Sequence, residues 1–291
     1  MSVFERIVVG VDGRAGGRDA LALASLLRRA CGGDLVAVHA YRYDRSVPLD
    51  RADALEATMR ADLLAELEAE LDSADMLARP VVADSPSPAR VLQDTAQRER
   101  ADLVVVGQPH RSGADRIVGG DVAAGTLHAA PCAVAVAPAG FAERTHALAT
   151  IGAGFDDSCE SREALALARR IAHAAGAVVH ALYVDVPPLP LWPVPVLDPE
   201  SPGYDAAVRH RGEHELHSAL AEIGRDGDVE VLVGSPAHEL ARRSRDLDLL
   251  VVGSRSHGPA RRVLLGSTST RLVREAACPL LVLPRCALRA D

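Results

Sequence analysis

The sequence contains no lysine and no asparagine: all 32 of its basic residues are arginine. Without lysine there is no Schiff-base chemistry and no P-loop lysine. Aromatic residues make up only 3% of the chain, which argues against base stacking on aromatic platforms and leaves alanine, valine and leucine to fill the cores. The formal charge is -8 with no large basic block, so the clustered positive charge that neutralises phosphates of nucleic acid is missing. No apolar run approaches the ~18 residues needed to span a bilayer. The segment from Met1 to Arg6 has no charged-then-apolar leader, and a cytoplasmic location is expected. The cysteines are Cys31, Cys132, Cys159, Cys278 and Cys286, with no C-x-x-C pair. An odd, scattered set reads as reduced, buried thiols, with Cys132 and Cys278 in the cores.

What is present is a repeat. Ile7-Val-Val-Gly-Val-Asp12-Gly is echoed by Ile151-Gly-Ala-Gly-Phe-Asp156-Asp, and Arg18-Asp-Ala-Leu-Ala-Leu-Ala by Arg162-Glu-Ala-Leu-Ala-Leu-Ala. Ala101-Asp-Leu-Val-Val-Val-Gly107 returns as Leu247-Asp-Leu-Leu-Val-Val-Gly253, and the run from Pro131-Cys132 to Pro138 as Ala277-Cys278 to Pro284. The offset is 144 at the first aspartate and 146 at the glycine and cysteine, which is a duplicated domain rather than a short-motif solenoid. With 291 residues, 48% of them hydrophobic, each copy has enough chain for its own core. The expected domains are residues 1–140 and 146–288.

Short Val/Leu/Ile runs alternate with longer amphipathic ones. In the first copy the strands are expected over Arg6–Val11, Leu35–Ala40, Pro80–Ala83, Leu103–Gly107 and Ala133–Ala137. Helices are expected near Gly17–Cys31, Arg51–Ala74, Ala89–Arg98 and Asp121–Ala130. The second copy repeats this, with Gly203–Arg225 as its long helix and a proline-rich insertion carrying Trp192 from Asp185 to Pro202. Alternating β and α elements with strands apolar on both faces predict an α/β fold with parallel sheets and right-handed crossovers.

The most informative segment runs from Val251 to Leu283. A strand ends at Gly253, a loop follows, and Gly266-Ser267-Thr268-Ser269 opens a helix. A helix N-terminus offers free N–H groups and the positive end of its dipole, glycine allows close backbone approach, and Arg255, Arg261 and Arg262 add charge. These features form an anion site; they also fit an ordinary strand-to-helix connection with a capping serine. Asp156 likewise reads as a ligand contact or as a turn residue. His210, His214 and His217 share one helix face, but arginines and glutamates surround them. A solvated polar face is the favoured reading, and no metal site is expected.

The segment resembles the ATP-binding signature of the universal stress protein family: Gly, two residues, Gly, nine residues, then Gly-Ser/Thr. Gly253, Ser256, Gly266 and Ser267 fit the spacing, with serine for the second glycine and Gly258 close by. The resemblance covers both copies. It implies two tandem open five-stranded sheets, Rossmann-like and similar to adenine nucleotide alpha hydrolases, with strand order 3-2-1-4-5. It also implies a stress-response ATP-binding protein, with or without Mg²⁺, whose role is regulatory and whose turnover is at most slow ATP hydrolysis. The implied contacts are Asp156 and the main chain near Tyr183 for the nucleoside. Gly253, Ser256, Gly258, Gly266, Ser267, Thr268 and Ser269 would hold the phosphates.

In the first copy Gly107 and Gly120 keep the spacing, but the second glycine is His110 and the serine is Asp121. A carboxylate there opposes phosphate, so this copy is expected to be nucleotide-free, with Asp12 kept for structure or a weak nucleoside site. The resemblance implies pairing of final strands, hence an internal pseudo-dimer of the two copies through Ala133–Ala137 and Leu280–Leu283, a further pairing with a second chain into a homodimer, and the alternative of a nucleotide-free scaffold. The Ser-Gly-Gly-x-Asp-Ser loop of ATP pyrophosphatases and the His-Ile-Gly-His and lysine-rich loops of class I synthetases are absent, which argues against an enzyme of those kinds.

Overall fold

The computed structural model describes residues 2–42, 49–108, 122–128, 130–144, 147–186, 216, 228–254 and 266–284. The chain divides into two compact units between Ala147 and Leu148.

Unit one runs β1 (Arg6–Gly10), α1 (Ala15–Cys31), β2 (Asp34–Tyr41), α2 (Leu49–Ser73), β3 (Arg79–Asp84), α3 (Pro88–Glu99), β4 (Leu103–Gly107), α4 (Val122–Leu127) and β5 (Ala133–Ala137). Its sheet is parallel in the order β3-β2-β1-β4-β5. The central strand shows why: Ile7, Val8 and Val9 are all fully buried, which needs a layer of helices on each face. A 3₁₀ turn at Phe141–Glu143 follows β5 and lies against α1. Asp19 of α1 is 2% exposed and accepts hydrogen bonds from the Gly140 N–H at 2.9 Å and the Ala142 N–H at 2.8 Å, which fixes that turn.

Unit two repeats the plan: β6 (Thr150–Phe155), α5 (Cys159–Ala175), β7 (Val178–Asp185), β8 (Asp228–Val233), α6 (Pro236–Arg243), β9 (Leu249–Gly253), α7 (Ser267–Glu275) and β10 (Leu280–Leu283). Its parallel order is β8-β7-β6-β9-β10. In both units the sequence order is therefore 3-2-1-4-5. Asp102 and Asp248 do the same work at matching places. The carboxylate of Asp102 accepts from the Glu5 and Arg6 N–H groups, and that of Asp248 from those of Ala149 and Thr150, at 2.7 to 3.0 Å. Each thereby holds the start of its unit's first strand beside the fourth.

Helix ends follow local chemistry. Ser87 caps α3 ahead of Pro88, and Ser158 caps α5 through the Ser161 N–H at 3.2 Å. Gly176 closes α5 at φ 69°. The first-copy helix expected over Asp121–Ala130 is shorter, Val122–Leu127. Cys31, Cys132 and Cys278 are buried thiols outside any disulfide, and burial pushes the Cys132 and Cys278 thiols up to about 12. Cys159 departs from the expected reduced, buried set: it is exposed on the first turn of α5 and disulfide-bonded. Among the described residues no helix is long and apolar enough to cross a membrane. The insertion beyond Val186 with Trp192, the helix expected over Gly203–Arg225 and its three histidines lie outside the described residues.

Candidate functional site

In each unit the strand order reverses between the first strand and the fourth, and the crevice beyond their carboxyl ends is where an open α/β sheet takes a ligand. In unit two those strands are β6 and β9, in register at Ala153 and Val251. Asp156 thus emerges three residues past the pair and Gly253 two residues past it, side by side at the same edge.

Asp156 belongs to the turn and still leaves an oxygen over. Its Oδ1 accepts from the Ser158 N–H at 3.1 Å and the Ser158 hydroxyl at 2.5 Å, while its own N–H donates to the Ser161 hydroxyl at 3.3 Å. Oδ2 has no hydrogen bond among the described residues. Arg162 pairs with the neighbouring Asp157 and stacks over Phe155 with 5.9 Å to the ring centroid.

Tyr183 sits between Phe155 of β6 and Val231 of β8, inside the sheet. Beyond it β6 has ended, and Val184 and Asp185 are in register with β8 alone. The main-chain edge open toward Asp156 therefore begins at Val184, one residue after the tyrosine that sequence reasoning singled out. Only the position at which β6 stops reveals this.

The start of α7 leaves backbone donors open among the described residues. The Thr270 N–H is the first to find an intrahelical acceptor, the Gly266 carbonyl at 2.9 Å. The N–H groups of Ser267, Thr268 and Ser269 have no acceptor among the described residues. The Ser267 side chain is exposed and Thr268 is half-buried. The Ser269 hydroxyl, 3% exposed, accepts from the Gly266 N–H at 3.0 Å and faces its carbonyl at 3.3 Å, so it is occupied in closing its own helix turn. The Ser254 hydroxyl, just past β9, is buried and has no hydrogen-bond partner among the described residues. An orphaned donor and three open N–H groups at one strand edge fit an oxygen-rich ligand.

The glycine at the head of the loop has a different cause. A β-carbon on Gly253 would lie 2.6 Å from the Glu160 Cβ and 2.9 Å from its carbonyl carbon. On Gly107, the matching residue of unit one, it would overlap the carbonyl oxygen of Gly16. Both glycines let the fourth strand abut the first turn of the first helix, and the space beside each is filled by protein. Ser256, Gly258 and Gly120 lie outside the described residues.

The unit-one edge carries different charges. Asp12 Oδ1 accepts from the Arg14 N–H at 3.1 Å and the Gly17 N–H at 3.2 Å. His39 stands in the repeat where unit two has Tyr183. Burial holds its pKa below the usual imidazole value, with Asp12 and Glu66 acting the other way. Burial, then Asp12, raises the Glu70 carboxyl, with Arg18 opposing. Among the described residues no group of three or more histidine, cysteine, aspartate or glutamate side chains is arranged to hold a metal ion.

Residues 4–138 and 148–284 each match the universal stress protein family. The chain belongs to this family. A relative from Thermus aquaticus, a universal stress protein in the QAH/OAS sulfhydrylase 3′ region, is 33% identical over 143 residues, covering 46% of this chain and 96% of its own. A universal stress protein of Mycobacterium tuberculosis strain H37Rv is 26% identical over 197 residues, 66% of this chain and 68% of its own. The fold is shared with a universal stress protein from Archaeoglobus fulgidus, at TM-score 0.66 and 18% identity over 97% of this chain and 98% of that one.

Proposed function

We propose that this universal stress protein is a stress-response regulator that binds an adenine nucleotide, ATP with or without Mg²⁺, in unit two. The observation that carries the reading is the start of α7, where the N–H groups of Ser267, Thr268 and Ser269 have no acceptor among the described residues, in the unit whose Asp156 Oδ2 likewise has no hydrogen bond among them. The phosphates would lie on Ser267, Thr268 and the main chain there, with the Ser254 hydroxyl as a further donor. The nucleoside would meet Asp156 and the main chain at Tyr183–Val184. Ser256 and Gly258 belong to the same loop in sequence. Gly253 and Ser269 would shape the site without touching the ligand. Unit one would take no nucleotide.

The second reading, a nucleotide-free dimerising scaffold, is favoured for unit one by the acidic residues around Asp12 and by Asp121 in the place of Ser267. The two readings separate in an equilibrium-dialysis series with ATP, AMP and adenosine. Nucleotide binding at α7 predicts that affinity rises with phosphate number and that Ser267→Asp, which copies Asp121 of unit one, removes the gain while leaving adenosine unchanged. Equal affinity for all three ligands would contradict the phosphate assignment. Sedimentation of the full chain tests the proposed homodimer.

A further inference from the structure

Unit one carries a cavity between α1, the end of α2 and the 3₁₀ turn after β5. Its volume is about 410 Å³, within the ~300–1,000 Å³ range of small-molecule sites. One wall is a ridge of α1 from Arg18 to Arg29, residues spaced three and four apart on one helix face. Leu21, Leu26 and Met76 form its floor and are 4%, 7% and 7% exposed. Leu77, next to Met76, is 80% exposed. The third wall is held in place by the buried Asp19, whose bonds to Gly140 and Ala142 fix the turn that carries Arg144 to the rim.

Three guanidinium groups therefore surround an apolar floor. Arg18 and Arg29 each spend an N–H on a neutral acceptor, the Gly13 carbonyl at 3.3 Å and the Ser25 hydroxyl at 2.8 Å. Neither they nor Arg144 forms an ion pair among the described residues. Glu70 is the one carboxylate in the lining. Burial raises its pKa. A free phosphate would answer the arginines and leave the floor bare, and a neutral lipid would do the reverse.

We propose that this groove is a binding site for an amphipathic monocarboxylate of the fatty-acid class, its carboxylate among Arg18, Arg29 and Arg144 and its chain along Leu21, Leu26 and Met76. Fork-shaped guanidinium donors suit a carboxylate, and the alkyl chain is itself taken out of water against the apolar floor. This site is independent of the nucleotide reading.

The test is a calorimetric titration of the full chain with dodecanoate, beside dodecanol for the chain alone and acetate for the charge alone. Dodecanoate is expected to bind at least about tenfold tighter than either control. The double variant Arg29→Ala/Arg144→Ala is expected to lose that advantage. Ala22→Phe, which fills the groove from the surface of α1, is expected to abolish binding while the circular dichroism spectrum stays unchanged. No dodecanoate binding to the wild-type chain, or binding that survives both variants, would overturn the proposal. ATP titrated into the same variants should behave as in the wild type, which separates failure here from failure of the nucleotide site.

Discussion

The two units close the same strand-to-helix turn with different atoms. In unit one the Asp12 carboxylate reaches the Gly17 N–H, and Gly17 has to be glycine because a β-carbon there would stand 2.6 Å from Asp12 Oδ1. In unit two that place is Ser161, whose hydroxyl reaches back to the Asp156 N–H, and Ser158 takes over the cap. The first aspartate is thus kept in both copies for a structural reason that holds with or without a ligand. The same is true of Gly107 and Gly253. What differs is the residue that opens the helix after the fourth strand, serine at Ser267 of unit two and aspartate at Asp121 in the sequence of unit one. The first aspartate and the glycine that ends the fourth strand, which both persist in the divergent copy, are residues that packing requires.

The largest effects should come from the shared glycines. Gly107→Ala forces a β-carbon into the Gly16 carbonyl, a rigid backbone atom, and should cost about 3 kcal/mol or more of stability. Gly253→Ala meets a side-chain atom first and should cost less, about 1–3 kcal/mol. Urea unfolding of the two variants, without nucleotide, checks the order. If Gly253→Ala weakened ATP binding with no loss of stability, the packing account of that glycine would be wrong.

Next in size are Asp102→Ala and Asp248→Ala. Each leaves two backbone N–H groups without their acceptor, for an expected loss of about 1–3 kcal/mol in either unit. Equal losses would show that the repeat conserves this clamp. Ser269→Ala removes the acceptor for the Gly266 N–H and should cost about 1 kcal/mol in the absence of any ligand, read as a lowered thermal midpoint.

The smallest expected effect sharpens the electrostatic contrast. Glu70 has a raised pKa in the folded state, so its contribution is fully present below the unfolded value of 4.5 and is lost as pH rises through the folded value. Glu70→Gln should therefore flatten the pH dependence of unfolding above pH 4.5 and slightly stabilise the chain at neutrality. Melting curves from pH 4.5 to 7 test the sign.

Much of the fold was legible because it is periodic: buried Val/Leu runs such as Leu103–Gly107 and the offset between the copies define strands and duplication without any long-range information. The candidate edge was legible in part. Asp156, Gly266 and Ser267 carry their chemistry in the local sequence. Long-range closeness does not, so the Gly253–Glu160 contact that explains a motif glycine was invisible, as was the step from Tyr183 to Val184. Ser269 was assigned to phosphate because a hydroxyl at a helix start reads the same whether it serves a ligand or its own turn. Cys159 shows the same limit: its spacing gives no hint of a bond, and only the fold shows it exposed.

The most direct test of the contrast between the units is the stoichiometry of ATP and Mg²⁺ binding to the full chain, measured by calorimetry on the wild type and on Ser267→Asp. One site per chain, lost in the variant, is the predicted result. Two sites, or one site that survives the variant, would contradict it.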